Sequence, residues 1–478
     1  MTPSSPASKL RILVAPSGFK ESLGPDEVAD CIEAGIRRVL PDPSVVDVRK
    51  VPLHDGGEGF CRALVAAMFN AKNSSNQPRV LTDGVRHLNV TGPVGETVAS
   101  HYGIVTGDDG RKIGILDMAA AAGLSLVPPS CRDPTVTTTY GVGQLVAAAL
   151  DEGCVRIIIG CGDSGTSDGG AGMLQALGVR LLDVRGEELP QAAGGASLLG
   201  LAGIDDTEIH PRLRESERVE IEAVCNIKNI LCGDRGVARV YGPQKGATPA
   251  QVELLSTALD TYAACAGRLS PEHHNIGRQP GAGASGGLGA GILLLGGKLR
   301  PREEAIDEYF GVSKLLASSS SRSSSSASAS SPKWDLVVTA EGCLDSQSAQ
   351  GKLTVEIARR ARAHGAAVVA LAGTIGPGAD GVYDDGIAAF TSILDGPRSL
   401  PDAIASTASL LTGAAERAMR MIQMGMAMKV VEGREQAEDV VEEDGLSGDV
   451  RMMKAFQVGK IVKNVSLGEM KLARSWTS

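Results

Sequence analysis

Aromatic residues make up only 3% of this chain. So few rings argue against the stacking platforms that hold single-stranded nucleic acids. An excess of positive charge is also missing. The formal net charge is −9, which disfavours non-specific binding to a polyanion but leaves room for a local basic pocket. No apolar run reaches the roughly 18–20 residues that span a bilayer. The first nine residues contain no apolar stretch of the kind that directs secretion, so a cytoplasmic protein with no membrane or nucleic-acid partner is expected. The nine cysteines are scattered, with no Cys-x-x-Cys pair. That pattern argues against a disulfide framework or a zinc site. Cys31, Cys61, Cys154 and Cys265 stand in apolar surroundings and read as reduced core residues.

What is present is glycine, 60 residues of it, in a chain that is 43% hydrophobic and 22% charged. With 478 residues there is enough chain for two or three domains with sizeable cores. Leu10 to Pro16 reads as a buried strand after a disordered start at 1–9. Pro25-Asp26-Glu27 suits a first helical turn, and Val28, Ile32, Ile36 and Val39 recur at helical spacing up to Pro41. Further strands are expected at Ile113–Leu116, Ile157–Ile159, Ile221–Cys225, Leu336–Thr339, Ala367–Ala372 and Ala388–Ile393. Helical stretches lie between many of them, which points to parallel sheets covered by helices. Residues 317–331 are nearly all serine and alanine and read as a flexible insert at a surface connection. Beyond Lys429 an acidic stretch and then a basic one read as an accessory tail, 430–478.

Six segments carry the residue types of a reactive site. The most informative runs from Arg156 to Gly172. Its apolar strand meets a loop of glycines, hydroxyls and carboxylates, and a helical pattern follows at Met173. Strand, glycine loop and helix aim backbone N–H groups at an anion. Ser164, Thr166, Gly169 and Gly170 are the expected phosphate contacts. Asp163 and Asp168 would repel a phosphate unless Mg²⁺ lay between them. The loop lacks the Gly-x-x-x-x-Gly-Lys pattern of a Walker A motif.

The other five are shorter. Lys20 follows the first strand, where open α/β sheets bind ligands. His54-Asp55-Gly56-Gly57-Glu58-Gly59 pairs two carboxylates across glycines that permit close backbone approach. Asn226, after the strand at Ile221–Cys225, and Gln244-Lys245 between Pro243 and Gly246, are candidate substrate contacts. So is Ser285 in the loop Pro280–Gly289. Gly281, Gly283 and Gly286 of that loop formally match a dinucleotide fingerprint, but no strand precedes it. Glu341, Asp345 and Lys352 form a candidate metal–phosphate cluster after the strand at Leu336–Thr339.

Together these segments resemble the bacterial-type glycerate kinase family. They occur in that family's order from about Leu10 to Lys429: Ala-Pro-x-x-Phe-Lys, Asp-Gly-Gly-Glu-Gly, Gly-x-Gly-x-Ser-x-Thr-x-Asp-Gly-Gly-Ala-Gly, Gly-Pro-Gln-Lys-Gly-Ala, Pro-Gly-Ala-Gly-Ala-x-Gly-Gly and Glu-Gly-x-x-Asp-x-Gln-Ser. The stretch Arg132-Asp133-Pro134 with Thr137-Thr138-Thr139 resembles another family segment. The resemblance implies two α/β domains. One is Rossmann- or flavodoxin-like and discontinuous, at 10–62 and 296–429; the other is inserted at 63–295. It implies ATP- and Mg²⁺-dependent phosphorylation of D-glycerate in the cleft between them, with small molecules as partners and a homodimer as the assembly considered.

On this reading Ser164–Gly170 holds ATP phosphates and Asp168, Glu341 and Asp345 hold Mg²⁺. Lys20 and Lys352 neutralise transferring or substrate charge, and Asp55 orients or deprotonates the acceptor hydroxyl. Glu58, Asn226, Gln244, Lys245 and Ser285 contact the substrate. Four positions depart from the family pattern: Ser17-Gly18 for Asp-Ser, Asn226 for Asp, Cys343 for Arg and Asp163 for Gly. They motivate two alternatives, a kinase for another small hydroxy acid and a catalytically silent metabolite-binding relative. A nicotinamide-dependent oxidoreductase would rest on Gly281–Gly286 alone.

Overall fold

The computed structural model describes residues 9–19, 22–54, 56–73, 84–214, 219–317, 334–346, 348–350 and 352–442. Lys20, Asp55, the expected disordered start at 1–8, the insert from 318 and the tail from 443 therefore lie outside the described residues. Two compact units are defined, 1–416 and 417–478. The described part of the second unit is helical and belongs to the helix Thr407–Glu442.

The first unit holds thirteen described strands. They are β1 (Leu10–Val14), β2 (Val46–Lys50), β3 (Gly84–Thr91), β4 (Thr97–Thr106), β5 (Lys112–Asp117), β6 (Arg156–Gly160), β7 (Arg180–Leu182), β8 (Gly203–Asp205), β9 (Glu220–Cys225), β10 (Lys298–Pro301), β11 (Leu336–Leu344), β12 (Ala367–Ile375) and β13 (Ala389–Ser392). The fold is α/β, and two large sheets dominate it.

One sheet has the order β13-β12-β11-β1-β2, parallel throughout. Counted within the sheet, that is the flavodoxin order, with a switch point between β1 and β11. The early strands β1 and β2 thus combine with the late ones β11 to β13. Fully buried runs such as Ile12–Val14 and Val337 need helices on both faces. The helix Pro25–Val39 is one of these covers, burying Val28, Ala29, Ile32 and Ile36 on one stripe. It starts at Pro25 as expected and ends at Val39.

The second sheet has the order β10-β9-β6-β5-β4-β3. Strands β5, β6, β9 and β10 are parallel, whereas β3, β4 and β5 pair antiparallel. The expectation of purely parallel sheets therefore holds for the first sheet and not for this edge. The cause is a tight β3–β4 turn, closed by the Gly92 N–H donating to the Glu96 carbonyl. Its half-exposed strands carry polar residues that masked the alternation. Strand β10 takes this sheet to Pro301, beyond the boundary expected at 295. At the other boundary, the helix Phe60–Asn73 packs Phe60, Cys61, Leu64 and Val65 on Ile115, Ile158 and Val224 of this sheet. Burying such side chains contributes roughly 1.5–3 kcal/mol each. The nine cysteines are free thiols, and Cys61, Cys154 and Cys265 are buried.

Candidate active site

The reactive residue types collect at the carboxyl ends of the two sheets. At the switch point of the first, Ser17 follows β1 and both its N–H and its hydroxyl donate to the Ala340 carbonyl at 2.9 Å. Strand β11 runs past the expected end at Thr339, because pairing with β12 continues to Leu344 opposite Ile375. Glu341 is therefore a strand residue, only 5% exposed. Lys352 lies 3.1 Å from Glu341 Oε2 and 3.3 Å from Asp345 Oδ1. Its ammonium also donates to the Cys343 carbonyl at 2.7 Å. Burial pushes the Glu341 carboxyl above its ordinary pKa despite the Lys352 charge beside it. Glu341 Oε1 is buried without a hydrogen bond. The Cys343 thiol donates to Asp345 Oδ2 at 3.6 Å.

At the second sheet, Asp117 ends β5, the glycine loop leaves β6 at Gly160, and Asn226 follows β9. The described residues on either side of His54 reach both sheets. Leu53 N–H donates to the Pro16 carbonyl beside β1. Gly56, at φ 91°, packs so closely that an added Cβ would stand 2.7 Å from the Val224 carbonyl oxygen of β9. His54 is buried with Nε2 3.1 Å from Asp26 Oδ2, and this bond holds the Asp26 carboxyl below its usual range. Glu58 is exposed; its N–H donates to Asp163 Oδ2 at 3.3 Å and its carboxylate accepts from Ser125 at 3.4 Å.

The glycine loop is more internal than its composition suggests. Gly165 N–H donates to Ala122 O and Gly169 N–H to Gly286 O. Gly170 and Gly172 donate to Asp168, which also accepts from the Thr139 N–H and hydroxyl. Asp168 is 1% exposed, and burial raises its pKa against the pull of those donors. Its carboxylate braces the loop from within. Among the described residues no three His, Cys, Asp or Glu side chains gather as a metal site, so Asp168 is not brought together with Glu341 and Asp345. Glu341 and Asp345 do offer oxygen donors of the kind Mg²⁺ takes when phosphates complete its shell.

Lys245, expected at the substrate, is 2% exposed and sits behind the loop, donating to Ser164 Oγ at 2.9 Å and to Thr166 O at 2.5 Å. Gln244 beside it is exposed. Asn226 Oδ1 accepts from the Lys228 N–H at 3.1 Å, forming a local turn. Ser285 has φ 51° and a buried hydroxyl with no hydrogen bond. Thr166 Oγ1 is likewise buried and without one. The loop Gly281–Gly289 packs against the β6 loop instead of following a strand. Sequence reasoning missed Asp117, which is fully buried and takes the Gly59 N–H at 2.8 Å and the Cys61 N–H at 3.3 Å. The signal was present in outline: an acid directly after an apolar strand, at the same end as the other candidates.

A flavodoxin-order sheet joined to a mixed α/β sheet, with charged loops at both carboxyl ends, has the layout of an α/β enzyme. A model of the glycerate kinase family matches residues 12–423, and the chain belongs to that family. It is 40% identical over 406 residues to a glycerate kinase of Halalkalibacterium halodurans, covering 84% of this chain and 96% of that one. Against the glycerate 2-kinase of Escherichia coli K12 identity is 37%, with 87% and 99% covered. The crystal structure of the Salmonella typhimurium LT2 protein assigned as glycerate kinase 2 superposes with a TM-score of 0.64 at 36% identity, covering 88% of this chain and all of that one.

Proposed function

We propose that this chain transfers the terminal phosphoryl group of ATP, with Mg²⁺, to a hydroxyl of D-glycerate. One observation carries the reading furthest: Lys352 is held between Glu341 and Asp345 at the switch point of a flavodoxin-order sheet, where such folds bind ligands. Phosphoryl transfer depends mainly on positioning and on neutralising charge. Lys352, with Lys20 after β1, supplies cationic charge to phosphate oxygens. Glu341, through its unpartnered Oε1, and Asp345 would hold Mg²⁺, which when bound neutralises charge on the phosphates.

The Ser164 hydroxyl serves the same task from the second sheet, with Lys245 fixing its loop from behind, while the Thr166 hydroxyl stays buried inside that loop. Asp168 contributes by keeping that loop in shape. Asp55 is the residue assigned to orient or deprotonate the acceptor hydroxyl, with Glu58 beside it. No helix among the described residues is long and apolar enough to cross a membrane.

The deciding experiment is ATP turnover with D-glycerate and Mg²⁺, with the phosphorylated position of the product identified. A second reading, another small hydroxy acid as acceptor, is favoured by one observation. Cys343 gives Asp345 a thiol partner where the family pattern has an arginine. A panel of hydroxy acids in the same assay separates the two. ATP binding without turnover on any of them would leave a silent metabolite-binding relative.

A further inference from the structure

The turn 56–61 carries Glu58, directly follows Asp55, and is fastened on two sides. Gly56 packs on the end of β9. The backbone beyond it is held by carboxylates at the ends of the neighbouring strands of the same sheet. Asp163 takes the Glu58 N–H, and Asp117 takes those of Gly59 and Cys61. Asp117 stands opposite Gly160 in the β5–β6 register, and the Met118 N–H donates to the Gly160 carbonyl at 3.0 Å. One residue therefore ties the turn to the root of the glycine loop.

We propose that Asp117 is a positioning residue for phosphoryl transfer, fixing the turn 56–61 so that the Glu58 side chain it carries meets the acceptor at the right place. This inference rests on the kinase reading. Asp117 is an ionisable carboxylate with no exposure, and burying a carboxylate is unfavourable unless it is well paired. Its Oδ1 is buried without a hydrogen bond and faces His101 Nε2 at 3.8 Å. The groups around it are His101 on β4, Glu58 on the turn, and Cys61 and Arg62 on the helix that follows. Burial pushes the His101 imidazole down to about 4 and Asp117 up to about 6.

The test combines activity with an activity-independent readout, amide exchange across 56–62. In Asp117→Ala exchange should rise at least about tenfold, as the local opening becomes easier. kcat should fall at least about tenfold while KM for ATP stays within about twofold, since the loss falls on the acceptor side. Asp117→Asn keeps the shape and an acceptor oxygen and should restore protection and most of kcat. Wild-type exchange, or wild-type kcat, in Asp117→Ala overturns the proposal. If that variant does not fold, Asp117→Glu moves the carboxylate by one methylene, and unchanged kcat there overturns it equally. Failure of the wild-type enzyme to phosphorylate any hydroxy acid would instead sink the kinase reading, whatever the exchange data show about the turn.

Discussion

The backbone N–H of Gly169 donates to the carbonyl oxygen of Gly286 at 3.0 Å. Two glycine loops more than a hundred residues apart in sequence are stitched by this bond. Gly286 has φ 71°, and a Cβ there would collide with the Thr166 carbonyl oxygen. Gly286→Ala combines a left-handed backbone with overpacking, and each costs about 1–3 kcal/mol. The urea midpoint of the variant should fall accordingly, and a wild-type midpoint would contradict the packing described.

Asp168 is the next point of failure. Asp168→Ala leaves the donors of Thr139, Gly170 and Gly172 unpaired in the interior, a loss of about 3 kcal/mol or more. Asp168→Asn keeps one acceptor oxygen and should lie between the variant and wild type in thermal denaturation. If the braced loop serves the transition state, kcat of Asp168→Asn falls at least about tenfold, roughly 1.4 kcal/mol. Undiminished turnover would remove the loop from catalysis.

Lys352 offsets the burial of Glu341. Without it, burial acts on that carboxyl with only the Ser348 hydroxyl still opposing it, and its pKa rises further. A carboxyl raised in the folded state contributes stability that is full below its unfolded pKa and lost as pH rises through the folded value. Lys352→Met should therefore lose stability more steeply than wild type on going from acid to neutral pH, read from melting temperatures. Its kcat should fall at least about tenfold at pH 7 if the ammonium meets phosphate charge. A parallel pH profile and full activity would refute both halves.

Asp117 gives a second pH signature of the same sign. Its folded pKa is pushed up to about 6 from an ordinary value of 3.8, so its contribution declines as pH rises from about 4 through about 6. Asp117→Asn lacks this titration. Across that window wild-type stability should fall relative to the variant and then run parallel above it. A constant difference from pH 4 to pH 7 would mean that Asp117 ionises as a surface carboxylate does.

Much of this was legible in the chain itself. Apolar runs such as Ile157–Ile159 and Ala367–Ala372 locate central strands, because strands buried on both faces are continuous in hydrophobicity. The order of the six segments carried the family. Strands β3 and β4 were not legible, since both are partly exposed and carry polar residues. The inward turn of the β6 loop was hidden as well. Composition shows that Gly169 and Gly170 permit close approach, but not whether the neighbour is a phosphate or Gly286. Asp168 reads as a ligand in isolation and as a brace once Thr139 is seen beside it. Lys245 is similar: a lysine on a tight turn suggests an exposed cation, and only the tertiary fold puts its ammonium behind Ser164.

The pairing of β1 with β11 also bears on how the chain comes to its shape. β1 lies between β2 and β11, so its second edge stays unpaired until residues near 336 have been made. The Arg11 guanidinium waits as long for its Asp335 partner. The six strands of the other sheet are all synthesised before β11. A ribosome releasing this protein thus delivers a complete six-stranded sheet first, and a five-stranded sheet whose opening strands must be kept from other partners until the last third of translation.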